Sequence, residues 1–280
     1  MNEFVETLLD LPWQTCEPKP AYDVVIIGGG GHGLSTAYYL AARHGITNVC
    51  VLDANYIGSG NSGRNTTIIR SNYGIPESVR FYQHSLELYQ GLEAETGSWI
   101  MHSTKGQIWL AHSVTAARTE QTRALMNQAC GAHTDYILPD EIKARCPQID
   151  LSGGGRYPVH GASYHHEGAT ARHDRVVWTY AQGALRNGVH IFQHTPVIGL
   201  VKDGDRVTGV HTPNGTISAG IVLSAVGGHV STVAGWAGVR LPIRTHALQA
   251  FVTNAYAQEF APIGSSNDLV FYVSQTPRGQ

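Results

Sequence analysis

Tyr22-Asp23-Val24-Val25-Ile26-Ile27-Gly28-Gly29-Gly30-Gly31-His32-Gly33 is the stretch on which the fold turns. Residues 22–27 form an unbroken β-type run, the pattern of a parallel strand buried on both faces. The glycines break that run. Leu34, Ala37, Tyr38 and Ala41 then recur at helical spacing, and Gly45 predicts the helix end. Residues 48–52 predict a second buried strand running into Asp53. The expected unit is a right-handed βαβ crossover with both strands in one parallel sheet. Within it Gly28, Gly30 and Gly33 match G-x-G-x-x-G, and Asp53 lies twenty residues past Gly33. Strand before, helix after and acid downstream are the context that a dinucleotide-binding loop requires. Gly28 would make the tight turn and Gly30 would let backbone N–H groups approach a pyrophosphate at the helix N-terminus. Gly33 would allow close helix–sheet packing, and Asp53 would accept hydrogen bonds from a ribose diol. An acid at that position disfavours a 2′-phosphate, which leaves FAD or NAD.

Composition narrows the class further. The 280 residues carry 19 Lys+Arg against 21 Asp+Glu, a net charge of −2, with 42% hydrophobic residues. That is enough apolar material for a real core, which excludes global disorder. Without a basic stripe, nucleic acid is not expected as a partner, because phosphate binding needs clustered Lys and Arg. Charged residues make up only 14%, below the roughly 25% of an average soluble domain. Together with 32 glycines, this suggests a cofactor protein that is itself a subunit. Cys16, Cys50, Cys130 and Cys146 show no zinc or redox-dithiol spacing, and so few cysteines fit a reducing compartment. The acidic N-terminus has no signal-peptide pattern, and no run approaches eighteen apolar residues. A cytoplasmic chain with no membrane span is expected.

Beyond the opening, a turn of helix is expected at residues 4–9 in an otherwise Pro-rich tail. Helices are expected over 77–96, 116–129, 139–144 and 170–186, the last carrying Val177, Tyr180, Ala181 and Ala184 inward and closed by Gly188. Strands are expected over 107–111, 189–192, 197–202, 207–212 and 216–218, with hairpin turns at Asp203-Gly204-Asp205 and Asn214-Gly215. A separate, buried strand is expected over 221–225. Residues 269–274 predict one more strand, followed by a turn with no returning strand. An unpaired terminal edge strand is a hazard that natural proteins avoid, so the chain is expected to be the N-terminal part of something longer.

A second loop, Gly58-Ser59-Gly60-Asn61-Ser62-Gly63-Arg64, leads into Asn65-Thr66-Thr67-Ile68-Ile69-Arg70-Ser71-Asn72-Tyr73. Small residues followed by a polar stretch suit a segment that wraps a long extended cofactor. With residues 23–33 and Thr170-Ala171-Arg172-His173-Asp174, this run resembles the beta subunits of heterotetrameric sarcosine oxidases, amine-oxidising flavoproteins of the D-amino-acid-oxidase type. The resemblance extends from about residue 20 to the end. It implies an α/β fold: a Rossmann-like FAD-binding domain (21–98 and 163–232) interleaved with an α+β substrate domain (99–162 and 233–280) after a tail at 1–20.

The resemblance also implies roles. Gly30, Gly31, His32 and Asp53 would hold the ADP half of a non-covalent FAD, and Asn61, Arg64, Thr66 and Ile68 would run along the flavin half. Val197 would meet the adenine or be an ordinary core residue. His173 would carry FMN covalently; a neutral imidazole is the nucleophile such a bond needs, and a helix N-terminus disfavours the positive ring. Arg172 would hold flavin charge or face solvent. Arg70 would bind the substrate carboxylate, with a structural salt bridge as the alternative. His160, His165, His166 and His173 lack ligand spacing, so no metal is expected. The implied reaction is oxidative demethylation of sarcosine, with hydrogen peroxide formed from oxygen and the one-carbon unit passed to tetrahydrofolate on the alpha subunit. The implied partners are the alpha, gamma and delta subunits. The family's chains continue past residue 280 with a flavin-contacting loop and a lysine near the flavin, so a chain ending there is expected to have an incomplete site. Two other readings remain open: a flavin dehydrogenase without covalent flavin, and a non-catalytic scaffold subunit.

Overall fold

Strand β1 (Ala21–Ile27), helix α1 (Gly31–His44) and strand β2 (Val49–Leu52) form the βαβ unit in a computed structural model that describes residues 17–280. The helical turn expected at residues 4–9, and Cys16, lie outside the described residues. α1 buries Leu34, Ala37, Tyr38 and Ala41, and Gly45 closes it in the left-handed region at φ 67°. β1 and β2 are parallel, with Val24 opposite Val49 and Ile27 opposite Leu52.

The chain divides into two units, residues 1–65 with 173–249 and residues 66–172 with 250–280. The first holds a six-stranded sheet. In sheet order its strands are Gly199–Asp203, Arg206–Thr212, Gly215–Ser224, β1, β2 and His190–Phe192. The last four are mutually parallel, and the first three form an antiparallel meander. One face buries Val25, Ile27, Cys50, Leu52 and Phe192 with Val210, Ile217 and Val233.

The two strands expected at 216–218 and 221–225 are one. Gly215–Ser224 pairs antiparallel with the meander through its first half, and from Ser218 onward runs parallel to β1. Its second half is not the buried run expected, since Ile221 is 62% exposed. The helix expected from Thr170 starts at His173, because Ala169–Thr170 is spent as a strand between Ile68–Ile69 and Ser103–Thr104. Val197 precedes its expected strand, which begins at Gly199.

The second unit carries a five-stranded sheet in the order Phe271–Val273, Ile263–Ser266, Gln107–Ala111, Gly161–His165, Thr134–Ile137. Only the Ile263–Ser266/Gln107–Ala111 pair is parallel. The strand expected at 269–274 is shorter, and it pairs backward with Ile263–Ser266. Ile108, Leu110, Ile137, Ile142, Cys146 and Ala162 make this unit's core. The units divide at 65/66 and 172/173, unlike the boundaries expected at 98/99 and 162/163. The small sheet explains this, because Ile68–Ile69, Ser103–Thr104 and Ala169–Thr170 must stay together.

Gly33 is the tightest point of the βαβ unit: a Cβ there would lie 1.9 Å from the Gly28 carbonyl oxygen and 3.3 Å from Ile26. Both close neighbours belong to β1 or its exit, so relief requires the helix to lift off the strand. Gly33→Ala is expected to destabilise the protein by about 1–3 kcal/mol, read as a lowered urea midpoint with an unchanged slope.

A candidate flavin and carboxylate site

Three loops of the first unit converge at the N-terminus of α1. Gly28 sits at φ 108°, with its Cβ position 2.5 Å from the Ala225 carbonyl oxygen, so no side chain fits. The Gly58 N–H donates to the Gly29 carbonyl (2.9 Å), and the Gly31 N–H donates to Ser62 Oγ (2.9 Å). Asn61, at the start of the short Asn61–Arg64 helix, lies beside the Gly227 turn. α1 starts from Gly30 with no side-chain cap and no acid in its first turn. His32 is exposed there. With the Gly31 amide taken by Ser62 Oγ and no acid in the first turn, the positive end of the helix dipole still lacks a negative partner and suits an anion.

Asp53 organises the loop from the side. Its Oδ2 accepts the Gly29 N–H (2.7 Å) and its Oδ1 the Asn55 N–H (2.8 Å). The Asp53 N–H donates to the Phe192 carbonyl, and the Asp53 carbonyl accepts from Thr195. This brings the segment leading to Val197 alongside the acid. Each carboxylate oxygen keeps a lone pair, so the acid can still accept from a diol. A helix N-terminus with no acid in its first turn, a backbone cradle that a Cβ would fill and a positioned carboxylate fit an adenine dinucleotide. Arg64 is exposed at the end of its short helix. Thr66, Ile68 and Arg70 fall in the second unit, whereas Gly28, Gly30, Gly31, His32, Gly33, Asp53 and Asn61 belong to the first.

His173 is the first residue of the His173–Arg186 helix, and its Nδ1 is buried with no hydrogen-bond partner. The Arg172 N–H, just before that helix, donates to the Ile100 carbonyl (2.9 Å).

In the second unit, Arg70 leaves the Ile68–Ile69 strand into a tightly held segment. Its guanidinium carbon lies 4.1 Å from the Tyr73 ring centre and 5.1 Å from that of Trp109. Nη1 donates to the Asn72 backbone oxygen (3.0 Å) and Oδ1 (3.1 Å). Burial lowers the pKa of Arg70 from its ordinary value, with Tyr73 opposing the shift. No carboxylate pairs with Arg70 among the described residues. Asn72 Nδ2 and Trp109 Nε1 are buried donors without acceptors. Donors without acceptors around a half-buried cation suit an anionic ligand. Thr67, just upstream, holds φ 60°, a strained value for a β-branched residue.

The sequence reading missed His165 as the support of this segment. It is fully buried; its Nε2 accepts the Ser71 N–H (3.3 Å), and its Nδ1 lies 3.2 Å from the His133 carbonyl oxygen. Ser71 in turn donates to Gln83 (2.7 Å). The pattern assigns the neutral ring with Nδ1 protonated. Burial pushes the imidazole down to about 4.

Known proteins can now be set beside this geometry. Residues 23–280 match the family model of FAD-dependent oxidoreductases of the DAO type. The chain belongs to this FAD-dependent oxidoreductase family. It is 45% identical over 268 residues to sarcosine oxidase subunit beta of Arthrobacter sp., covering 96% of this chain and 66% of that one. It is 41% identical to the subunit of the same name in Rhodobacter capsulatus, covering 96% and 64%. The chain thus spans just under two thirds of the length of these relatives. L-proline dehydrogenase from P. horikoshii shares the fold, with a TM-score of 0.82 at 24% identity over 94% of this chain and 69% of that one. No helix among the described residues is long and apolar enough to cross a membrane.

Two outcomes follow for this family member. Asp53→Ala frees the Gly29 and Asn55 amides, and should weaken FAD binding at least about tenfold in a flavin-fluorescence titration. His165 ties stability to pH. The unfolded ring, near 6.5, takes a proton before the folded ring near 4 does. Stability is therefore full above about pH 6.5 and falls by on the order of 3 kcal/mol as the pH drops to 4. Urea midpoints at pH 7.5 and 4.5 should differ more in the wild type than in His165→Gln.

Proposed function

We propose that this chain oxidatively demethylates sarcosine, as the flavin-carrying part of a sarcosine oxidase beta subunit. Arg70 carries the reading: a half-buried guanidinium held by Tyr73, Trp109 and Asn72, with no carboxylate partner among the described residues. A cation left so is costly, and a bound carboxylate would remove that cost. Arg70 would grip the carboxylate of N-methylglycine and fix the direction of its methyl group, while Tyr73 and Trp109 hold the guanidinium plane. In the first unit, the glycine loop and Asp53 would hold the ADP half of FAD, with Val197 at the adenine. Asn61, Arg64, Thr66 and Ile68 would lie along the flavin half. His173, through its ring, would carry FMN covalently.

When bound, FAD supplies the hydride acceptor, and a histidyl-linked FMN supplies the route of electrons to oxygen. Sarcosine, water and oxygen would then give glycine, formaldehyde and hydrogen peroxide. The one-carbon unit would be taken by tetrahydrofolate on the alpha subunit of a cytoplasmic assembly that also holds gamma and delta subunits.

Arg70→Ala should raise the KM for sarcosine by roughly 10²-fold, as expected for loss of a charge-assisted pair worth about 3 kcal/mol. Arg70→Lys should recover part of it, and a secondary amine without a carboxylate should be indifferent to both. An unchanged KM in Arg70→Ala overturns the reading. For the second flavin, protein co-expressed with its partner subunits should stay yellow after acid precipitation. Its tryptic peptide containing His173 should carry the mass of FMN. The unmodified peptide mass points instead to an amine dehydrogenase without covalent flavin.

A further inference from the structure

The strands Thr134–Ile137 and Gly161–His165 pair antiparallel, with Thr134 opposite His165 and Asp135 opposite Tyr164. Thr134 and His165 both point into the interior, where each is fully buried. Side chains alternate across a strand, so their neighbours emerge on the other face. His133 and His166 therefore stand across from one another at the end of the ladder, joined by the His166 N–H to the His133 carbonyl (3.0 Å). Asp135 sits two residues along from His133, on the same side.

The side chains converge there. His166 Nε2 lies 2.7 Å from Asp135 Oδ2, and His133 Nε2 lies 4.0 Å from the same oxygen. One ligand atom from each of the three residues falls within 4.8 Å of the others. The two imidazoles stack at 3.8 Å between centroids and 7° between planes. We propose that His133, Asp135 and His166 form a binding site for a divalent transition-metal ion of the zinc class.

The donor set decides the class. Two imidazoles and one carboxylate suit Zn²⁺, Cu²⁺ or Ni²⁺, whereas Mg²⁺ and Ca²⁺ want oxygen alone. Tetrahedral ligands on zinc stand about 3.3 Å apart, given bonds of about 2.0–2.2 Å. The observed 2.7 and 4.0 Å bracket that spacing. Closing the difference requires rotation of His133, whose side chain is 62% exposed, and no repacking of the core. Asp135 is ready for the task. Its Oδ1 is oriented by Gln128 Nε2 at 2.8 Å, which leaves Oδ2 turned toward the two imidazoles. Three protein ligands leave the fourth position to water. An ion so held would clip the turn before Thr134 to the end of the Gly161–His165 strand, directly over buried His165. This trio differs from the histidines for which no metal was expected, sharing only His166 with them.

The test is isothermal titration of chelator-treated protein with ZnCl₂. One equivalent should bind to the wild type, and His133→Ala and Asp135→Asn should each weaken it roughly tenfold or more. His133→Ala removes an exposed ring, so the fold is kept, and circular dichroism checks this. Cu²⁺ electron paramagnetic resonance gives an independent reading: two imidazole nitrogens in the wild type, one in His133→Ala. Zinc affinity unchanged in both variants, or no binding to the wild type, overturns the proposal.

Discussion

The backbone of α1 meets the exit of β1 with no room between them, and the first unit is built on that approach. Gly33 lies against the Gly28 carbonyl, and Gly28 itself is pressed against Ala225 at the end of the neighbouring strand. β1, α1 and the end of the Gly215–Ser224 strand are thereby locked together in the middle of the sheet, with the start of α1 at the ends of these strands. Asp53 completes the arrangement from β2 by accepting from Gly29. The loop's shape is thus a property of strand packing, and an anion-binding tip comes with it. A carboxylate at position 53 serves the protein before it serves any ligand, because it terminates the Gly29 and Asn55 amides that would otherwise be orphaned.

That same approach explains why the βαβ opening was legible. Strand, glycine loop, helix spacing and Gly45 are local signals, and here local preference and tertiary packing agree. The Gly215–Ser224 strand was less legible because one chain segment serves two partners of opposite polarity, and no local pattern marks the change. The second unit was read least well. Thr134–Ile137 and Gly161–His165 were not seen as strands, since Gly161-Ala162-Ser163 has low β propensity and its residues are buried on both faces. Their pairing depends on contacts with residues far away in sequence. The helix start was misplaced by three residues for a related reason: Thr170 is claimed by two strands at once, a demand that helical spacing cannot reveal.

The candidate site divides along the same line. Gly28, Gly30, Gly33 and Asp53 are tied to a motif whose mechanism is local, and the structure gathers them. The role of His165 was invisible because it acts through Ser71, ninety-four residues earlier in the chain. A histidine pair in sequence says nothing of which ring is buried. Alternation on one strand sends His165 inward to support the Arg70 segment and His166 outward to Asp135.

Trp109 supplies the contrast that gives Arg70 its meaning. Two arginines flank the ring, Arg70 at 5.1 Å and Arg123 at 5.7 Å. Arg123 has a structural partner: Glu120, buried itself, lies 3.0 Å away and also accepts from Ser163 (2.6 Å) and Asn267 (3.4 Å). That carboxylate is fully used within the unit and needs no ligand. Arg70 shares the aromatic environment without the charge, held by a backbone oxygen and an amide oxygen alone. Dipoles orient a guanidinium but compensate its charge only in part. The salt bridge weighed as the alternative for Arg70 finds no carboxylate among the described residues, and the ion pair nearby is that of Arg123 with Glu120. The fold thus provides Arg123 with its acid and leaves Arg70 without one among the described residues, and on that contrast the proposed carboxylate grip of Arg70 rests.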